Sequence, residues 1–214
     1  MVESTSRLAW AAVTTGTLAI VLGVSGPPSL PAAPPPDFGP AAASPDTAAA
    51  RLPAGTGPRA GAGHQDPPPR RVLVPGVGLD ARVTPVGVSG QGDLAVPEDP
   101  AVAGWYRFGP EPGSARGSAV LVGHVDGDTG ALGEFAALFD VRRGDRVEVR
   151  RAGAGPAVYR VVSRVTVPKE DLPVSVFRRT GAPVLTLITC APPFAPGQGG
   201  YLANLVVTAE PAGT

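Results

Sequence analysis

Cysteine is almost missing from this chain. Cys190 is the single one in 214 residues, which excludes a disulfide framework within the molecule. Lysine is as rare: Lys169 stands alone against seventeen arginines, a compositional bias that says nothing about mechanism. Histidine occurs twice. His64 falls in a stretch without periodic pattern, which leaves His124 as the one imidazole in the part that reads as folded. No charge of either sign dominates. Acidic and basic residues number 18 each, so there is no electrostatic case for a nucleic-acid partner. Internal repeats are lacking as well.

What is present begins with an apolar run. Leu8 to Gly26 contains no charged residue. As a helix it would measure roughly 28 Å, close to a bilayer hydrocarbon core of about 30 Å. A secretory h-region is shorter, about 7–15 residues. Arg7 and the α-amino group outweigh Glu3, so the chain beyond the run belongs on the outer side of the membrane. Residues 1–26 are therefore expected to be a membrane anchor with an extracytoplasmic C-terminal part. A cleaved signal peptide is the competing reading and implies the same compartment. Residues 27–70 are dominated by Pro, Ala and Gly, as in Pro34-Pro35-Pro36 and Pro67-Pro68-Pro69. They predict a disordered linker with polyproline character, stiff but unpacked, able to reach on the order of 100 Å.

Residues 71–214 are long enough for one domain with its own core. Short apolar runs separated by turn signals predict strands near Arg71–Val74, Ala81–Val88, Asp93–Val96 and Ser118–Val125. Further strands are predicted near Arg146–Arg151, Ala157–Val167, Val184–Cys190 and Leu202–Ala209. Ala131–Phe139 predicts a helix, with Leu132, Phe135 and Phe139 along one face. Pro97–Pro100 and Gly109–Gly113 read as turns. About eight strands with one or two short helices make an all-β domain, a closed or nearly closed barrel.

Two of these strands end in chemistry. Leu185-Thr186-Leu187-Ile188-Thr189-Cys190 delivers the lone thiol at a strand end, ahead of a sharp turn through Ala191–Gly197. A nucleophile needs a fixed direction and partial exposure, and the lip of a strand provides both. A free cysteine in an apolar run is more often a small buried hydrophobe. Outside the cytoplasm, however, structural cysteines come in pairs, and an odd one points to a reactive thiol or an intermolecular bridge. The strand from Ser118 ends in Gly123-His124-Val125-Asp126. If Cys190 has an imidazole partner within the folded part, that partner is His124.

Thr186-Leu187-Ile188-Thr189-Cys190 resembles the TLxTC signature of sortases, the cysteine transpeptidases of Gram-positive surfaces. Gly123-His124-Val125-Asp126, Gly104-Trp105-Tyr106 and Gly109-Pro110 resemble the class F sortases of actinobacteria, and the His-to-Cys spacing of about 65 residues agrees. The resemblance extends over about residues 71–210. It implies an eight-stranded barrel, catalytic His124 and Cys190, a Thr189 that lines the substrate groove, and no cofactor. It implies as partners the surface proteins that bear an LPxTG-like sorting signal, and the amine of a peptidoglycan precursor. The implied reaction is transpeptidation through a Cys190 thioester.

The pattern breaks at one position. Class F sortases carry their catalytic arginine in a Tyr-Arg-Asp-Asn segment on the last strand. Here the segment is Tyr201-Leu202-Ala203-Asn204. Leucine cannot donate to an oxyanion, and losing one such donor costs ~10²–10³ in rate. Asn204 shares the strand face of Leu202, so its amide is the candidate oxyanion donor. Arg107, Arg178 and Arg179 are alternatives that the sequence does not place. Lys169, Glu170 and Asp171 read as a solvated turn rather than a metal site, and no metal is expected. Two other readings stay open: a hydrolase that passes the acyl group to water, and a surface module that keeps the barrel without catalysis. An L,D-transpeptidase would show a Ser-His-Gly-Cys run, which is absent.

Overall fold

The computed structural model describes residues 36–40, 67–90 and 92–213. The expected anchor and most of the expected linker, His64 included, lie outside the described residues. Among the described residues no helix is long and apolar enough to cross a membrane.

Eight strands form: β1 Pro69–Val74, β2 Leu79–Val86, β3 Val102–Tyr106, β4 Ser118–Val122, β5 Arg146–Arg151, β6 Ala154–Pro168, β7 Val184–Ala195 and β8 Gly200–Pro211. They close in the order β1-β2-β3-β4-β7-β8-β6-β5, with β5 pairing back onto β1. Closure leaves no unpaired edge to template aggregation. The β2–β3 and β4–β7 pairs are parallel; the others are antiparallel. A parallel pair needs a long crossover. Residues 87–101 provide the first, and the chain from Gly123 through β5 and β6 to Pro183 provides the second.

Alternation decides which side chains fill the barrel. In β2, Leu79, Ala81 and Val83 are buried while Asp80, Arg82 and Thr84 are exposed. β4 is buried throughout, because its outer face is covered as well. Ala119 and Leu121 enter the barrel core. Val120 and Val122 join Tyr106, Val176, Ile188 and Val206 in a second apolar cluster outside the barrel. The single-turn 3-10 segment Val174–Phe177 caps that cluster.

Three sequence expectations are corrected. Asp93–Val96 is not a strand; Leu94 makes only an isolated bridge to Val88. This segment is consumed by the crossover, and the strand forms instead at Val102–Tyr106. All five residues of that strand are buried, so it carries no alternation by which to read it. The expected helix at Ala131–Phe139 is a 3-10 helix over Glu134–Asp140. Leu132 is bridged to Asp126 and the Gly133 N–H donates to Val125 O, which delays the start. Finally, the chain does not turn sharply after Cys190. β7 continues to Ala195 through a register shift between Ala191 and Phe194. Pro192 and Pro193 lie in that shift, where missing N–H groups cost no ladder bonds.

Residues 36–40, within the stretch expected to be unpacked, lie against β6. Phe38 and Arg164 exchange backbone hydrogen bonds of 2.9 Å, and Asp37 Oδ1 accepts from the Thr166 N–H at 2.9 Å. The buried Arg164 guanidinium stacks on Phe38 and donates to the carbonyls of Phe139, Val141 and Pro36.

Candidate active site

The parallel pairing of β4 with β7 sets Val122 beside Ile188. The ladder runs one step further, because the Gly123 N–H donates to Ile188 O at 3.2 Å. The buried Thr189 hydroxyl then donates to Gly123 O at 2.9 Å. These bonds fix the backbone just ahead of His124, which follows Gly123, and of Cys190, which follows Thr189. On its other side β7 pairs with β8, and Cys190 lies directly opposite Asn204.

Cys190 is half-buried in the wall of a cavity of about 550 Å³. Asn204 and Thr189 line the same cavity, as do Lys169 and Glu170. Its other walls are largely apolar: Leu94 and Val96 from the β2–β3 crossover, Leu172 and Phe177 from the β6–β7 connection, and Ile188. The outer apolar cluster is thus its floor. Of the residues expected to act, Cys190, Asn204 and Thr189 are brought together. His124 is not among the cavity-lining residues.

The His124 ring is held aside. Its Nε2–H donates to Pro97 O at 2.6 Å, since a carbonyl can only accept. The backbone is fixed too: His124 O accepts from the Phe135 N–H at 3.2 Å. Two glycines make this packing feasible. A Cβ at Gly123 would stand 2.6 Å from Phe135 Cγ, and one at Gly133 would stand 2.4 Å from His124 O.

Burial pushes the Cys190 thiol above its ordinary range. The Lys169 ammonium nearby opposes this by its charge, whereas the Asp126 carboxylate adds to it. Asp126 Oδ2 in turn accepts from the Tyr201 hydroxyl at 2.7 Å. Burial, that hydrogen bond and the nearby negative charge push Tyr201 up to about 12. Tyr201 also meets the exposed Phe194 edge to face, with ring centroids 4.9 Å apart.

The arginines considered as alternative donors are occupied elsewhere. Arg107 stacks on Phe108 at 5.0 Å, Arg178 donates to Ala182 O at 2.9 Å, and Arg179 acts by charge on Tyr106. None lines the cavity. Lys169, read from sequence as part of a solvated turn, does. The signal that could have found it was its singularity: one lysine among seventeen arginines, next to a long predicted strand.

A closed eight-stranded barrel with a half-buried thiol in the wall of an apolar cavity defines a candidate cysteine site on a β scaffold. The sortase-domain family model matches residues 72–212. The chain belongs to the sortase family. Solved structures of similar fold include sortase C-1 from Actinomyces oris, 22% identical with a TM-score of 0.52, covering 67% of this chain and 71% of that one. Sortase A of Listeria monocytogenes is 22% identical with a TM-score of 0.51, covering 69% and 89%. Sortase C1 of Streptococcus agalactiae is 21% identical with a TM-score of 0.53, covering 67% and 68%. No protein of curated function matches.

Proposed function

We propose that this chain is a class F-like cysteine transpeptidase, anchored in the cell membrane by residues 1–26 with its barrel outside. It cleaves an LPxTG-like sorting signal between Thr and Gly and passes the acyl group to a cell-wall amine. The observation that carries this reading is the half-buried Cys190 in an apolar cavity, with Asn204 opposite it on β8. The walls formed by Leu94, Val96, Leu172 and Phe177 suit the leucine and proline of such a signal.

In the first half-reaction the Cys190 thiolate attacks the threonine carbonyl carbon. A C–S bond forms and the carbonyl π pair moves onto oxygen. The oxyanion collapses, the C–N bond breaks, and the His124 imidazolium gives its proton to the departing amine. In the second, the acceptor amine attacks the thioester and His124 takes its proton. The new C–N bond forms and the C–S bond breaks, which returns the thiolate. Asn204 Nδ2–H is the amide donor on β8 that faces the developing oxyanion. His124 must first exchange its contact with Pro97 O for one with substrate.

The test is to incubate the protein with an LPxTG peptide and weigh the intact protein. A mass increase on Cys190 that matches the acyl fragment, absent from Cys190→Ala, supports the mechanism. Peptide cleavage that survives in Cys190→Ala refutes it. Fractionation of cells that express the full chain tests the anchor. A secreted form starting beyond residue 26 would replace it with a cleaved signal peptide. Leu202 at the arginine position favours a second reading, in which the barrel binds sorting signals or hydrolyses them slowly.

A further inference from the structure

We propose that Lys169 is a catalytic residue of this site: from the end of β6, its ammonium supplies the positive charge that Leu202 on β8 does not. This rests on the transpeptidase reading above. The β6–β8 register pairs Val167 with Asn204 and Pro168 with Ala203. Lys169 comes directly after Pro168, at the start of the 3-10 segment Lys169–Asp171, and Leu202 directly before Ala203 on β8. The cation therefore starts just past the end of the strand that neighbours β8, and it lines the same cavity as Asn204 and Cys190. From there it reaches back over β8, whose residue opposite Cys190 is the short Asn204.

Three further observations agree. Lys169, Asn204 and Cys190 line one cavity. The ammonium forms no ion pair among the described residues, where every ion pair uses Arg71, Arg82, Arg146 or Arg150. Its charge acts on the Cys190 thiol, against the burial that disfavours a thiolate. The ionisable groups that act on that sulfur or line its cavity are, besides Lys169, Asp126 after β4, Tyr201 on β8, and Glu170 and Asp93 on the cavity wall. Lys169 is the lysine or arginine among them.

The chemistry needs a donor twice. Negative charge resides first on sulfur and then, after attack, on the former carbonyl oxygen. An ammonium on a flexible stem has three rotatable donors and can follow the charge from one atom to the other. Lys169 keeps its proton throughout; the proton that reaches the leaving amine comes from His124. A guanidinium fixed on β8 would do this by a planar fork. Lysine does it as a mobile point charge.

The experiment compares wild type, Lys169→Met, Lys169→Arg and the double variant Lys169→Met/Leu202→Arg, each confirmed folded by its melting curve. One arm measures acyl-enzyme formation with an LPxTG peptide; the other measures Cys190 alkylation by iodoacetamide against pH, which needs no oxyanion. Lys169→Met is expected to slow acylation about a hundredfold or more, the scale of a lost oxyanion donor, and to move the alkylation midpoint to higher pH. Lys169→Arg should stay within about tenfold of wild type. The double variant should regain at least tenfold over Lys169→Met. Wild-type acylation in Lys169→Met, equal losses in the Met and Arg variants, or no recovery in the double variant would each overturn the proposal while the transpeptidase reading stood. If wild type acylates with no sorting peptide, that reading fails, and the alkylation arm decides: an unmoved midpoint in Lys169→Met overturns the charge role, and a raised one supports it.

Discussion

Gly123→Ala is the smallest change that should separate the scaffold from the site. The added methyl would lie 2.6 Å from Phe135 Cγ, 2.7 Å from Cδ1 and 3.0 Å from Cδ2. Carbon atoms in good contact sit at about 3.5–4.0 Å, so the overlap is on the order of 1 Å with three ring atoms. Phe135 is fully buried and cannot swing into solvent. Either the ring is forced off its rotamer or the Gly123-His124 segment lifts from β7. Overpacking of this kind costs about 1–3 kcal/mol, and for a barrel of this size each kcal/mol lowers the melting temperature by about 4 °C. The variant should therefore melt roughly 4–12 °C below wild type. It should also lose acylation out of proportion to the unfolded fraction, because lifting this segment breaks the bonds with Ile188 O and Thr189 Oγ1 that hold the backbone ahead of His124 and Cys190. Chemical denaturation measures the first effect, and acyl-enzyme formation well below the melting point measures the second. Phe135→Leu in the same chain removes the opposing ring atoms. The double variant should be more stable than the sum of single losses by at least about 0.5 kcal/mol. If Gly123→Ala melts with wild type, or if the two changes simply add, the packing of Phe135 beneath this strand end does not position the site.

Two further predictions concern the charge around the thiol. Asn204→Ala should slow acylation by about tenfold or more, a loss of about 1.4 kcal/mol, with little change in the alkylation rate of Cys190; a silent variant would remove the amide from the mechanism. Asp126→Asn deletes a negative charge that raises the Cys190 value. A raised value leaves less thiolate at neutral pH, so the deletion should increase it and speed iodoacetamide alkylation at pH 7. The same change should lower the Tyr201 value from about 12 towards its ordinary range, followed by the tyrosinate absorbance. Unchanged alkylation would show that Asp126 is screened from the sulfur.

Much of the barrel was legible because its strands are short, apolar and bounded by Pro and Gly. Where a strand alternates, as at Leu79-Asp80-Ala81-Arg82-Val83, its location and its buried face could be read together. Where it does not, as at Val102–Tyr106, burial on both faces erases the period, and Asp93–Val96 drew the strand assignment instead. The 3-10 helix over Glu134–Asp140 holds Phe135 and Phe139 of the expected apolar face, while Leu132 lies ahead of its start. Its start was decided by bonds from Leu132 and Gly133 to a chain segment earlier in sequence.

The candidate site divides in the same way. Residue type is a local property, and it singles out Cys190, His124 and the anomaly at Leu202; the strand end expected at Cys190 is not one, because β7 runs on to Ala195. Partnership is not local. That Asn204 stands opposite Cys190, that Tyr201 bonds Asp126, and that Lys169 lines the cavity of Cys190 all follow from how β4, β6, β7 and β8 align. Register is set by the collective fit of side chains on two faces of a closing barrel, and a one-residue slip would turn each of these side chains to the other face. The single lysine was visible in the sequence; only the register of β6 on β8 makes it a neighbour of the thiol.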